Sequence, residues 1–297
     1  MTLESEEIKT GIIPIEKQRA GLKRNFTQIS DTITFEFKKN VKNFILVLLI
    51  FLGVFSIFLT IQELQALQGK ELPADPVIFI KDYLAMFGFM IIISTALFGG
   101  SIIAEDFQKQ TGNLLFPKIS KTRLLIGRVI SRYILNAICL FFYYVLIGAI
   151  TFIKYGEIPI VIWGSMGWAS LYTFSLFTFV TFMSSIMKSS TATIIVSILF
   201  LLIVFNMVRM ILTFTGLDFE PLFILTYYEG IIAHSMAMPN PRYIYLDMQP
   251  PQAEEPIFYK NWLTPTGTAA FIGMVIYIGI FLTLAYFLYK RRQSKNV

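Results

Sequence analysis

Charge, cysteine and histidine are all scarce in this chain. Charged residues make up 15% of its 297 positions against 55% apolar ones, and mean hydropathy is +0.65; that balance belongs to membrane proteins rather than soluble domains. Cys139 is the only cysteine and sits inside an apolar run, which excludes an intrachain disulfide and a cysteine-based metal site. A single histidine, His234, excludes acid and base catalysis by a histidine pair. No Gly-x-x-x-x-Gly-Lys-[Ser/Thr] occurs, since Gly69-Lys70 has neither the leading glycine nor the following hydroxyl, so the chain does not split a nucleotide by that route. A nucleophile elbow and a His-Glu-x-x-His are missing too. No catalytic residue and no cofactor of its own are expected.

What the chain has in quantity is apolar blocks. A bilayer core requires roughly 20 apolar residues in a helix, and six segments qualify: 44–61, 83–104, 129–153, 163–187, 192–215 and 267–289. The fold class expected is therefore an all-α membrane protein, with a six-span domain over 44–289. Residues 1–25 form a polar tail. In 26–43, Phe26, Ile29, Ile33 and Phe37 recur at three and four, followed by Lys38, Lys39 and Lys42, which predicts an amphipathic helix on the cytoplasmic surface. The N-terminal 40 residues contain no apolar core with a small-residue cleavage site, so no signal peptide is expected and the first span directs insertion.

Lysine and arginine decide the orientation. With both ends inside, the inside count is 8 in the N-terminal segment, 5 in the loop 105–128, Lys188, and 4 in the basic tail 290–297, against 5 outside. Both termini and the 105–128 loop are thus expected in the cytoplasm, and 216–265 outside. The basic residues are scattered over span ends instead of gathered on one watery face, which argues against nucleic acid as a partner. In the outer segment, Pro221 to His234 is apolar but too short to cross and predicts a re-entrant or interfacial helix. The proline-rich stretch after it predicts an extended loop.

Several polar residues invite a functional reading. Arg209 and Asn206 lie late in the fifth span, with Arg209 about 26 Å along a helix rising about 1.5 Å per residue from Ala192. Arg209 either snorkels to the surface or lines a substrate path, paired with an outer carboxylate such as Glu229 or Asp218. Gly167, Ser170, Thr178, Thr181 and Ser185 share one side of the fourth span, which suits close helix packing and, secondarily, a pathway wall. Ala96, Gly100 and Ala104 make a second small-residue row. His234, Met236 and Met238 have the spacing for a weak soft-cation site, against the plainer reading of side chains at a membrane boundary.

The stretch Gly99 to Arg128, GGSIIAEDFQKQTGNLLFPKISKTRLLIGR, is the polar segment held between two spans. Its Gly-Ser pair, Ile-Ile-Ala-Glu-Asp, Thr-Gly turn, Leu-Leu, Pro, Ile-Ser-Lys-Thr-Arg and late Gly-Arg resemble the cytoplasmic loop of ABC-2 type transporter permeases. One departure is that Pro117 is separated from Ile119 by Lys118 instead of preceding it directly. The six-span plan, the entry helix and the elaborated outer segment extend the resemblance over nearly the whole chain. It implies a plasma-membrane exporter subunit, paired with an identical or related permease and driven by two copies of a separate ATPase subunit that holds ATP and Mg; the aromatic content of 15% and the large outer segment suit a hydrophobic or amphipathic cargo. It also implies a coupling helix in the loop, with Leu114, Leu115 and Phe116 in a groove of the ATPase. Glu105, Asp106, Lys118, Lys121 and Arg123 would set register at the rim, and Gly112, Pro117 and Ser120 would shape the turn. The alternative is an anchor or assembly factor that holds a cytoplasmic partner and moves nothing. Carboxylates buried in mid-span, which ion-driven transport would require, are missing.

Overall fold

A computed structural model describes residues 15–108, 121–215, 219–248 and 257–294. The described chain is almost entirely helical, with five helices long and apolar enough to cross a membrane, or six if one bent pair counts as a span. It is an all-α, multi-pass membrane architecture.

Helix α1 (Ile15–Lys39) leads into α2 (Val41–Leu67), so the entry helix begins earlier than its apolar stripe suggests. Gly69, at φ 78°, ends α2: Lys70 N–H reaches back to the Gln65 carbonyl at 3.0 Å, a closure that the left-handed glycine allows. Next, Asp75 caps α3 (Pro76–Leu84) by accepting from Val77 N–H at 2.8 Å, with proline in the first turn, where its missing donor costs nothing.

The second span is not the straight helix expected from 83–104. The chain there forms α3 and α4 (Phe87–Gly99), two helices meeting at a 41° bend. A break in an apolar setting frees backbone carbonyls that water cannot reach. One is taken by Tyr143, whose hydroxyl donates to the Tyr83 carbonyl at 2.7 Å. The Tyr143 ring stacks on Phe87 at 5.2 Å and meets Phe51 edge-on at 5.6 Å, so an aromatic cluster braces both sides of the bend.

At its other end α4 turns through Gly100–Ile103 into α5 (Ala104–Gln108). Ser184 clamps this turn: its hydroxyl accepts from the Ile103 and Ala104 N–H groups at 3.0 and 2.9 Å and donates to the Gly100 carbonyl at 3.0 Å. Gly99 and Gly100 are required by close approach, since an added Cβ would overlap Val180 and Ile194 respectively. The small-residue row of the second span thus does seat α4 tightly against its neighbours.

Helix α6 (Lys121–Tyr155) has 35 residues, about 52 Å at about 1.5 Å per residue, well beyond a hydrocarbon core of about 30 Å. Its N-terminal part carries Arg123, Arg128 and Arg132. The central, mostly buried α7 (Val161–Ile186) packs against α4, α6 and α11 (Gly267–Ser294). Between them, α8 (Ser190–Leu199) and α9 (Phe205–Phe214) are joined by a π turn at Phe200–Val204. Helices α2, α8, α9 and α11 present apolar outer faces, among them Leu49, Ile203, Met207 and Ile276.

In the segment 219–262, short helical pieces fall within Pro221–His234, where a short helix was expected, but the extended loop expected after it is replaced by strands. A 3-10 turn (Leu225–Glu229) and α10 (Gly230–His234) pack onto α7, where the Ser165 hydroxyl donates to the Ile232 carbonyl at 2.7 Å. A two-stranded antiparallel hairpin follows, β1 (Tyr243–Met248) against β2 (Ile257–Trp262), registered from Tyr243↔Trp262 to Met248↔Ile257. The aromatic and β-branched runs YIYLDM and IFYKNW suit strands, a signal that the surrounding prolines masked.

Replacing Tyr143 with Phe keeps the ring and orphans the buried Tyr83 carbonyl. The expected loss is about 1–3 kcal/mol, read as a lower melting temperature of the detergent-purified protein; unchanged melting would show that the bend does not depend on this bond.

Candidate functional site

Two polar constructions occupy opposite ends of α4, which at 13 residues is about 20 Å long at about 1.5 Å per residue. The first is a buried charge cluster where the 105–128 loop leaves the bundle. Glu36 of α1, 1% exposed, lies between two arginines of α6: Arg128 Nε at 3.2 Å and Arg132 Nη2 at 2.8 Å. Arg128 also binds Asp106 in bidentate fashion at 2.8 and 2.9 Å and donates to the Ile102 carbonyl at 2.8 Å. Arg132, fully buried, donates to the Ser101 hydroxyl at 2.5 Å and the Phe98 carbonyl at 3.3 Å, and lies 3.6 Å from Glu105. Lys39 joins Glu105 at 2.6 Å, and the Tyr289 hydroxyl of α11 donates to Asp106 at 2.8 Å. Among the described residues, three carboxylates thus face three cations, with Lys39 at the exposed edge. That balance is the condition on which such groups can leave water.

The electrostatics follow. Burial alone would raise the Glu36 carboxyl, but Arg132, Arg128 and Lys39 outweigh it and hold the group below the usual carboxylate range. A carboxyl lowered in the folded state contributes stability above its ordinary pKa and loses it as pH falls through the lowered one.

Glu105 and Asp106 were expected at the rim of a partner interface. Both turn inward instead and are buried in these intrachain pairs. Arg123 is likewise engaged inside the chain, donating to Gln28 of α1 at 2.7 Å. Gly112, Leu114, Leu115, Phe116, Pro117, Lys118 and Ser120 lie outside the described residues, as does the Lys121 side chain. Glu36 was missed in the sequence because an acid in an amphipathic helix reads as a solvated face. The usable signal was its spacing with Thr32 and Asn40, which form one buried row.

The second construction is a cavity of about 420 Å³ at the α3–α4 break, walled by Leu84, Phe87 and Gly88, by Asn206 and Arg209 of α9, and by Glu229, Gly230 and His234. Arg209 does not snorkel freely: it is half-buried, donates to the Trp262 carbonyl at 2.6 Å and lies 5.6 Å from the Tyr227 ring. Glu229 sits deep yet opens on the cavity, its carboxyl packed where a Cβ on Gly88 would be. Burial raises the Glu229 carboxyl, with Arg209 opposing the shift. Burial, and next Lys81, lower His234. Asn206, Arg209 and Glu229, chosen from sequence as a path or gate, therefore share one cavity; Asp218 lies outside the described residues.

Other candidates are placed elsewhere. Thr178 and Thr181 are fully buried and donate to the Ser175 and Phe177 carbonyls within α7 at 2.7 and 2.8 Å, so they pack the bundle and do not line the cavity. Met236 is buried and Met238 exposed, and neither shares the wall with His234. Among the described residues no group of three or more His, Cys, Asp or Glu could hold a metal.

Arg132→Leu leaves Glu36, Glu105 and Asp106 facing only Arg128 and Lys39, at an expected cost of about 3–5 kcal/mol for the uncompensated interior charge, whereas the Glu36→Leu/Arg132→Leu pair recovers part of it. Glu36→Gln should flatten the acid limb of the stability-against-pH profile, because the Glu36 carboxylate, held below the ordinary range, is no longer there to protonate. Thermal melting between neutral and acid pH checks both. Comparison with known proteins brings no identification, for no protein-family model and no curated protein matches this chain.

Proposed function

We propose that this chain is the membrane-spanning subunit of an ATP-driven exporter of the ABC-2 permease type, with both ends and the 105–128 loop in the cytoplasm of a plasma-membrane protein. The single observation that carries the reading is the anchorage of that loop. Where it leaves the bundle, Glu105 and Asp106 are tied to α1, α6 and α11 at once, and Ser184 holds the turn from α4. A force applied to such a loop is delivered to the bundle instead of dissipating in a flexible hinge. Helix α4 then connects the loop to the cavity at the break.

In this reading the engine is a separate ATPase, two copies per complex, holding ATP and Mg. A second permease, identical or related, completes the transport unit. Leu114, Leu115 and Phe116 form the apolar contact with the ATPase. Glu105 and Asp106 now take the role of fixing the loop to the chain itself, in place of a rim contact. Six crossings follow if α3 and α4 count as one broken span, an arrangement tolerated where the break lines a cavity. The apolar outer faces of the bundle and its aromatic content favour a hydrophobic or amphipathic cargo. An anchor that only holds a partner needs the loop and its clamp, but has no use for a cavity walled by Arg209 and Glu229.

The chain is expected to copurify with an ABC ATPase from its native membrane and to support substrate-stimulated ATP hydrolysis on reconstitution. Leu115→Asp should abolish copurification while membrane expression stays normal. Stable expression with no ATPase recovered, and export unaffected by Leu115→Asp, would overturn the proposal.

A further inference from the structure

The cavity at the α3–α4 break is built unlike an apolar drug pocket or a plain water space. Its volume, about 420 Å³, equals on the order of a dozen waters at about 30 Å³ each. One wall carries the Arg209 guanidinium, fixed by the Trp262 carbonyl at 2.6 Å. Another carries the Glu229 carboxylate, to which no hydrogen bond forms among the described residues. His234 adds a buried Nδ1 without a partner. The floor is the start of α4, which has no side-chain cap and whose Phe87 and Gly88 line the space; the partial positive charge of a helix N-terminus favours the Glu229 carboxylate lying against it.

Two opposite charges, one already anchored and one without a donor, leave few ligand classes. A lone cation would meet Glu229 and bring its charge near Arg209 with nothing in return. A lone anion has the reverse fault. An uncharged apolar molecule would bury both charges without partners, which costs more than its contacts return. We propose that this cavity binds a short zwitterion, its primary ammonium donating to Glu229 and its anionic group accepting from Arg209, as in an aminoethyl phosphate. Asn206 and His234 offer further polar contacts to the anionic end. Such a group arrives either as a free solute or as the headgroup of a lipid. The inference goes beyond the transport reading and does not depend on it, because binding is a property of this chain alone.

The test is calorimetric titration of the full chain, purified in nonionic detergent at neutral pH. Glycerophosphoethanolamine and dihexanoylphosphatidylethanolamine are the zwitterionic probes; ethanolamine and glycerol phosphate carry one charge each. The zwitterions are expected to saturate, with the singly charged probes at least tenfold weaker. Glu229→Gln and Arg209→Gln should each weaken zwitterion binding at least tenfold, while Glu71→Gln, an exposed acid away from the cavity, leaves it unchanged. Tighter binding of the short-chain lipid than of the free headgroup assigns the site to lipid, and equal binding assigns it to a solute. No saturable binding of either zwitterion, equal binding of a singly charged probe, or full binding by folded Glu229→Gln would overturn the proposal. The probe series on the unmodified chain decides the matter even if a variant fails to fold.

Discussion

Five charged side chains are buried together where α1, α5 and α6 meet, with the more exposed Lys39 at their edge, and the arrangement of the loop end of the molecule depends on their pairing. Glu36 lies between Arg128 and Arg132; Asp106 completes Arg128, and Glu105 is shared by Arg132 and Lys39. Pairing of this kind contributes little net stability compared with an apolar core, but losing one member leaves an uncompensated interior charge. The pairs join α1 to α6, and the start of the 105–128 loop is tied to helices distant in sequence. The backbone is tied in as well, through the Ile102 and Phe98 carbonyls and the Ser184 clamp.

From that cluster a continuous mechanical element leads to the other polar construction. Helix α4 begins at the cavity, where Gly88 admits the Glu229 carboxyl, and ends at the carbonyl that Arg132 holds. Most of its side chains are buried, and at its end Val180 and Ile194 approach Gly99 and Gly100 closely. A rigid helix in a close-packed bundle transmits displacement instead of absorbing it. The bend at the α3–α4 junction, braced by Tyr143, is where displacement of α4 relative to α3 can be taken up.

The apolar blocks made the spans legible, because the bilayer demands long uninterrupted runs and the chain supplies them. The small-residue seating of α4 could be read too. What the sequence concealed depends on partners brought together by folding. Glu36 looked like a solvated charge, since its arginines lie some ninety residues away. Glu105 and Asp106 looked like an exposed acidic pair for the same reason. The bend in the second span carries no proline, so its apolar run read as one straight helix. Arg209 and Glu229 were named together as one of two alternatives for Arg209, and they line one cavity, but that cavity has no local signature.

The central claim is that the buried cluster and the cavity are joined through α4. Hydrogen–deuterium exchange of the detergent-purified chain, comparing the unmodified protein with Arg132→Leu, tests it most directly. The account predicts faster exchange at the cluster, residues 98–106, and also at the far end of α4 around Phe87–Met90 and in the Glu229–His234 turn. Faster exchange confined to α1 and the loop end, with the cavity walls unchanged, would contradict it.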